Sequence, residues 1–146
     1  MSSTLFSPIT LGNLTLPNRI VIAPMCQYSA VEGSATDWHT LHLGTLAVSG
    51  AGLLMLEATG VEAAGRISRE CLGLYSDGNE QALDRVLKVC RKYGNTPIGI
   101  QLAHSGRKGS VHAPWYKGAP SLQPHEGAWL TMAPSAVPMS EGWHTP

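Results

Sequence analysis

The sequence carries no excess charge of either sign: ten Lys and Arg stand against ten Asp and Glu, and only 14% of residues are charged. Proteins that grip nucleic acid or an anionic membrane surface present a basic patch, so neither partner is expected. No apolar run approaches the ~20 residues that cross a bilayer. The opening stretch MSSTLFSPITLGN lacks the basic start and apolar core of a signal peptide, and a cytoplasmic protein is the expectation. Cysteine is sparse. Cys26, Cys71 and Cys90 stand at wide, unlike spacings that match neither a disulfide framework nor a zinc knuckle, so they read as reduced thiols and no metal site is expected. There is no GxGxxG after a strand, no Walker loop, no HExxH and no GxSxG. A hydrophobic share of 43% argues against disorder.

What is present is glycine, proline and short apolar runs. Sixteen Gly and ten Pro exceed their usual combined share of about 12%, which favours sharp connections between buried elements over a helical bundle. Ile9-Thr10-Leu11 and Leu14-Thr15-Leu16 flank Gly12-Asn13, a pair suited to a tight hairpin. The run Arg19–Ala23 stops at Pro24 and predicts a buried strand. Residues 37–49 predict a helix capped by Thr36 or Asp37, with Trp38, Leu41 and Leu46 on its apolar face. Leu53–Ala58 is an unbroken apolar run of the kind that forms a parallel strand covered on both sides. From Asp77, with Glu80 three residues on as in a capping box, Ala82, Leu83, Val86, Leu87 and Cys90 mark a helix face that ends at Gly94. Residues 97–102 predict a third strand.

This order is strand, helix, strand, helix, strand. Parallel strands would bring their C-terminal ends to one edge, where α/β proteins bind ligands. Residues 112–146, rich in Pro and Trp, predict a long loop.

Several residues at those strand ends suit chemistry. Cys26 follows the first strand directly and reads either as an inert thiol or as one beside a cofactor. His39 and His42 sit three apart on a helix and read as packing or hydrogen-bonding residues before metal ligands. Gly50 and Gly52 read as a turn. The segment His104–Gly109 reads as a solvated loop or as part of an anion site. Gln101 ends an apolar strand with an amide that both donates and accepts, as the polar edge of a flavin or nucleobase requires.

The motifs PMCQY, EATGV and QLAHSGRK, with LFSPITLGNLTLPNRIVIAPMCQYSA, DWHTLHL and APSAVPM in the same order, resemble the Old Yellow Enzyme family. The resemblance is to its cysteine-containing bacterial branch, the xenobiotic-reductase or YqjM-like ene-reductases. It implies an α/β fold, the N-terminal portion of an FMN-binding (β/α)8 TIM barrel with an N-terminal β-hairpin. It also implies an NADPH dehydrogenase or ene-reductase in which NADPH or NADH reduces FMN and an activated alkene then takes hydride from it. By the same resemblance Pro24, Met25, Cys26, Ala58 and Gln101 line the FMN. Cys26 tunes the flavin and contacts substrate, and Tyr28 positions substrate. His104 and Arg107 belong to a family motif but receive no catalytic role.

A (β/α)8 domain needs about 250 residues, so 146 residues match about three of eight units. The whole chain, 1–146, is therefore expected to form the N-terminal part of a single barrel. The remaining C-terminal portion would come from another chain or be missing from this sequence, and the complete enzyme is expected to be a homo-oligomer. The alternatives are a non-catalytic barrel fragment or structural subunit, or an FMN protein with another redox role.

Overall fold

Gly12 adopts φ +59°, a backbone state that a two-residue hairpin loop requires and that glycine enters without strain. It joins β1 (Ile9–Leu11) to β2 (Leu14–Leu16), which pair antiparallel with Ile9 opposite Leu16. The structure is a computed structural model describing residues 3–146. Of the opening stretch MSSTLFSPITLGN, Met1 and Ser2 lie outside the described residues.

The rest of the ordered framework is β3 (Val21–Ile22), α1 (Asp37–Ala47), β4 (Leu53–Gly60), α2 (Asp77–Tyr93) and β5 (Ile98–Ala103). The three strands form one parallel sheet in the order β3-β4-β5. A core of Leu43, Ala47, Leu54, Leu56, Leu83, Val86 and Cys90 lies between the sheet and the two helices, with Ile22, Ile98 and Ile100 packed against it. The opposite sheet face is open, with Val21 half exposed and Gln101 exposed. No helix among the described residues is long and apolar enough to cross a membrane.

Three local expectations are corrected. The first strand is two residues, not Arg19–Ala23. Pro24 has no N–H to extend the ladder, and Ile20 already turns into a loop where its carbonyl accepts both the Gly52 and Leu53 N–H groups. Gly52 is required there, because a Cβ would run into the Asn18 carbonyl. In α1 the buried stripe is His39, Leu43 and Ala47, the i, i+4, i+8 row. Trp38 and Leu41 face outward, 47% and 64% exposed. The α2 cap is Ser76, whose Oγ accepts the Asn79 N–H at 3.2 Å. Asp77 and Glu80 sit instead within the first turn, where their charge opposes the positive helix end. Gly94 does end α2, but at φ −111°; it is needed for space, since a Cβ would strike the Ala47 carbonyl.

The middle of β4 breaks the regular ladder. The register runs Leu56↔Ile100 and then Ala58↔Gln101, so Glu57 is an extra residue, a β-bulge. Alternation should have turned Glu57 away from Leu56. Both are buried instead, 5% and 1% exposed, and Ala58 comes to lie beside Gln101.

Beyond β5 the chain folds back over residues 62–69. Trp129 Nε1 donates to the Ala64 carbonyl at 2.9 Å, and its backbone N–H donates to Ser110 Oγ at 3.0 Å. The Arg66 guanidinium lies between two rings, 5.2 Å from Trp129 and 5.8 Å from Tyr75. Val111 bridges to Ser121.

Candidate functional site

Because the sheet is parallel, the C-terminal ends of β3, β4 and β5 share one edge. Pro24, Met25 and Cys26 follow β3, while Ala58 and Gln101 sit side by side in β4 and β5. Met55 and Gly99, also paired, fall on the face opposite the core residues Leu54 and Leu56. Met25 is 69% exposed, Cys26 is half-buried and Gln101 presents its amide to solvent.

The loop carrying Cys26 and Tyr28 is fastened from below by a buried carboxylate. Glu57 Oε2 accepts the Gln27 N–H at 3.1 Å, and Oε1 lies 3.4 Å from His39 Nε2. His39 is 1% exposed, and its Nδ1 accepts the Thr36 N–H at 3.0 Å. That acceptor role leaves the ring proton of the neutral imidazole on Nε2, facing Glu57, although Nε2 is not aligned for a hydrogen bond. A carboxylate taken out of water needs such donors around it. The loop is braced further by Trp38 Nε1 donating to Gln27 Oε1 at 3.1 Å, and by Gln27 Nε2 donating to the Met25 carbonyl at 2.8 Å.

Tyr28 sits at φ +49°, a left-handed state that costs a non-glycine residue about 1 kcal/mol or more. Its ring meets Trp115 edge to face, centroids 5.3 Å apart at 84°. Burial, followed by the electrostatic influence of Cys26, Cys71 and Glu57, raises its phenol above the ordinary value, so Tyr28 is a neutral donor.

The thiols Cys26 and Cys71 shift one another's protonation in opposite directions. The hydrogen bond that Cys71 receives from Cys26, aided by Ser68, brings Cys71 down to about 6 against the opposing effect of burial. The Ser68 N–H and hydroxyl lie 3.4 and 3.5 Å from its sulfur. Cys26 moves the other way, raised by that same hydrogen bond, then by burial and by the charges on Cys71 and Glu57, while the Ala58 N–H opposes the rise. At neutral pH Cys26 is the protonated member. His104 stands apart from this cluster, its Nε2 2.7 Å from Glu62 Oε1, and Arg107 is exposed.

Residues 4–129 match the model of the NADH:flavin oxidoreductase / NADH oxidase family. The chain belongs to this family. An NADH:flavin oxidoreductase of Gibberella zeae is 43% identical over 97% of the chain, and an NADPH dehydrogenase of Bacillus cytotoxicus is 38% identical over all of it. The chain spans 34% and 38% of these two proteins, about a third of each. Among solved structures, morphinone reductase matches 92% of the chain at TM-score 0.73 and 27% identity, again over 32% of its own length. The Old Yellow Enzyme of a Pichia species matches 73% of the chain at TM-score 0.67 and 28% identity. The βαβαβ arrangement is thus the N-terminal portion of the family's (β/α)8 barrel, with the hairpin preceding it.

Flavin mononucleotide is the group this flavin oxidoreductase family implies, and the residues present fit one edge of its ring. Ala58 keeps side-chain bulk off the open face beside Gln101, while Gly99 makes room for the Met55 sulfur that lies over it. Gln101, beside Ala58, offers a free amide donor and acceptor to a flat heterocycle.

Glu57 and Cys71 are site residues that sequence reasoning missed. A carboxylate inside the run LLMLEA was the available signal, because a buried charge without partners is costly. Cys71 gave no such signal; only the tertiary contact brings it to Cys26.

Proposed function

We propose that the chain forms the flavin-facing part of an FMN-dependent NAD(P)H oxidoreductase that reduces activated carbon–carbon double bonds of enones and related compounds. The observation that carries this reading is the Ala58–Gln101 pair, brought together by the bulge at the strand-end edge and open to a planar ligand. The names NADPH dehydrogenase, among the relatives, and morphinone reductase with bound tetrahydroNAD, among the structures, support a nicotinamide as the electron source. The remaining strands of the barrel complete the site from outside this stretch of sequence.

In this reading Pro24, Met25 and Cys26 line the ring, Ala58 lies along it, and Gln101 holds its polar edge by hydrogen bonds. When bound, FMN supplies the hydride chemistry. Cys26, kept protonated by Cys71 and by Glu57, presents a neutral S–H rather than a nucleophilic thiolate, which suits tuning and contact over covalent catalysis. Tyr28 donates its O–H to the acceptor's oxygen, orienting the double bond. The edge-to-face contact with Trp115 holds the Tyr28 ring in place from one side.

The test is flavin retention by the complete polypeptide, with NADPH oxidation measured in the presence and absence of cyclohexenone. Gln101→Ala is expected to weaken flavin binding about ten-fold, the value of one or two lost amide hydrogen bonds at ~0.5–1.5 kcal/mol each. Equal flavin affinity in wild type and variant would remove Gln101 from the site. Enone-independent NADPH oxidation would remove the alkene as substrate.

A further inference from the structure

Cys26 and Tyr28 are carried on backbone that the sheet itself does not hold. β3 ends at Ile22, Pro24 can add no further rung, and residues 23–28 run on without strand pairing. Side chains set their position instead, and three of the bonds meet at Gln27. Its N–H donates to Glu57 Oε2 at 3.1 Å, its Nε2 donates to the Met25 carbonyl at 2.8 Å, and its Oε1 accepts from Trp38 Nε1 at 3.1 Å. Met25 and Trp38 are exposed. Of the three bonds, only the one to Glu57 reaches a buried residue of the sheet.

That bond is made at the peptide between Cys26 and Gln27, one residue before the left-handed Tyr28 at φ +49°. A strained backbone of this kind persists only where its surroundings over-determine it. Gln27 is pinned on both sides, since its carbonyl also accepts the Ser29 hydroxyl at 3.0 Å. A carboxylate is a costly choice for a purely structural pin, because an amide would make the same bond with less desolvation. The second oxygen of Glu57 is not fully bonded either: Oε1 lies 3.4 Å from His39 Nε2, which is not aligned to donate. What the carboxylate adds over an amide is negative charge. Cys26 and Tyr28 are the titratable groups of the loop that feel it, with Cys71 and His39 the other titratable groups around the cluster.

We propose that Glu57 is a positioning residue for reduction of the acceptor: by holding the Gln27 N–H, it sets the direction in which Tyr28 presents its O–H and Cys26 its S–H. Its charge also disfavours release of either proton. The inference rests on the flavin-reductase reading above and adds to it a residue that touches neither flavin nor acceptor. Reach and charge are separable at this position. Glu57→Asp keeps the charge and withdraws the carboxylate by one methylene. Glu57→Gln keeps the reach, with an amide oxygen that can still accept the Gln27 N–H, and removes the charge.

The experiment compares the complete wild-type polypeptide with both variants by retained flavin, by KM and kcat for cyclohexenone at saturating NADPH, and by iodoacetamide labelling of Cys26. The labelling is done at about pH 9, near the ordinary thiol value, and read by peptide mapping. Flavin is expected in all three proteins. Glu57→Asp should raise the cyclohexenone KM about five-fold, the order of one lost hydrogen bond, and move kcat less, while Glu57→Gln stays near wild type. Cys26 should be labelled several-fold faster in Glu57→Gln, a readout in which turnover takes no part. An unchanged KM in Glu57→Asp, or a rise in Glu57→Gln as large as in Glu57→Asp, would overturn the role of Glu57 and leave the flavin reading standing. Unchanged labelling of Cys26 in Glu57→Gln would overturn the assignment of its charge, and it decides that point even if Glu57→Asp does not fold. A wild-type protein without flavin, or without enone-dependent NADPH oxidation, would overturn both the inference and the reading beneath it.

Discussion

At the scale of single residues, the site is built by side chains that restrain one another's protons. Tyr28 illustrates this. Its phenol is raised by burial first and by neighbouring negative charge second, so in alkaline solution the folded chain keeps a proton that the unfolded chain has released. With more protons bound in the native state, stability falls as pH climbs above the ordinary tyrosine value near 10. Tyrosinate absorbance of the native protein should therefore show one of its four tyrosines titrating late. Tyr28→Phe should remove that late component and flatten the alkaline loss in urea midpoint. An unchanged titration curve in Tyr28→Phe would show that the phenol is not held in this way. His39 was legible in sequence as a hydrogen-bonding histidine, and so it is. Its partner Glu57 was not, since nothing in a linear apolar run announces which face a carboxylate will take.

Secondary elements were legible where local chemistry and tertiary packing agree. For α2 they do: acidic residues begin it, Arg91 and Lys92 close it, and one stripe is buried. Only the cap differs, because Ser76 and Asp77 are adjacent and both are good capping residues; the one whose backbone stays extended, Ser76 at ψ 157°, takes the role. Ser76→Ala should cost ~1 kcal/mol by loss of the bond to the Asn79 N–H, read as a lower urea midpoint, while Ser76→Asp should restore most of it. If Asp77→Ala proved the costlier change, the cap would be misassigned. In α1 the weakly patterned sequence misleads. The aromatic Trp38 looks like a core residue, yet it lies outside, stacked at 6.0 Å on His42 and bonded to Gln27. The helix is oriented by the need of His39 to reach Glu57 and Thr36, which is a long-range requirement.

Across the whole molecule, the order of strands and helices was readable because apolar runs of strand length alternate with a well-marked helix, and parallel pairing follows from the intervening crossovers. The path of the C-terminal segment was not readable, since its anchors are single contacts between residues distant in sequence. Trp129 is the principal one, with its indole N–H on the Ala64 carbonyl and its ring beside Arg66. Trp129→Phe keeps most of the ring and loses the hydrogen bond, at a cost of about 1 kcal/mol. Residues 110–146 should then become the first cleaved in limited proteolysis and gain the fastest amide exchange, with the sheet unaffected. Equal protease resistance in the variant would place the anchor elsewhere.

A strand is also a parity code, in which odd and even positions answer to opposite sides. The extra residue at Glu57 changes parity midway through β4, so that one strand serves two masters in sequence: up to Leu56 the even positions supply the interior, while from Ala58 on an even position is handed to the ligand-facing side. Removing Glu57 itself would take out the extra residue, leaving a regular ladder with Ala58 still opposite Gln101; what it would lose is the buried carboxylate that accepts the Gln27 N–H. Removing one residue before the bulge would instead turn neighbouring core positions to the open face. The tolerance of this chain to deletion in β4 thus depends on place as well as count: loss of the bulge residue should be milder for the fold than loss of Met55.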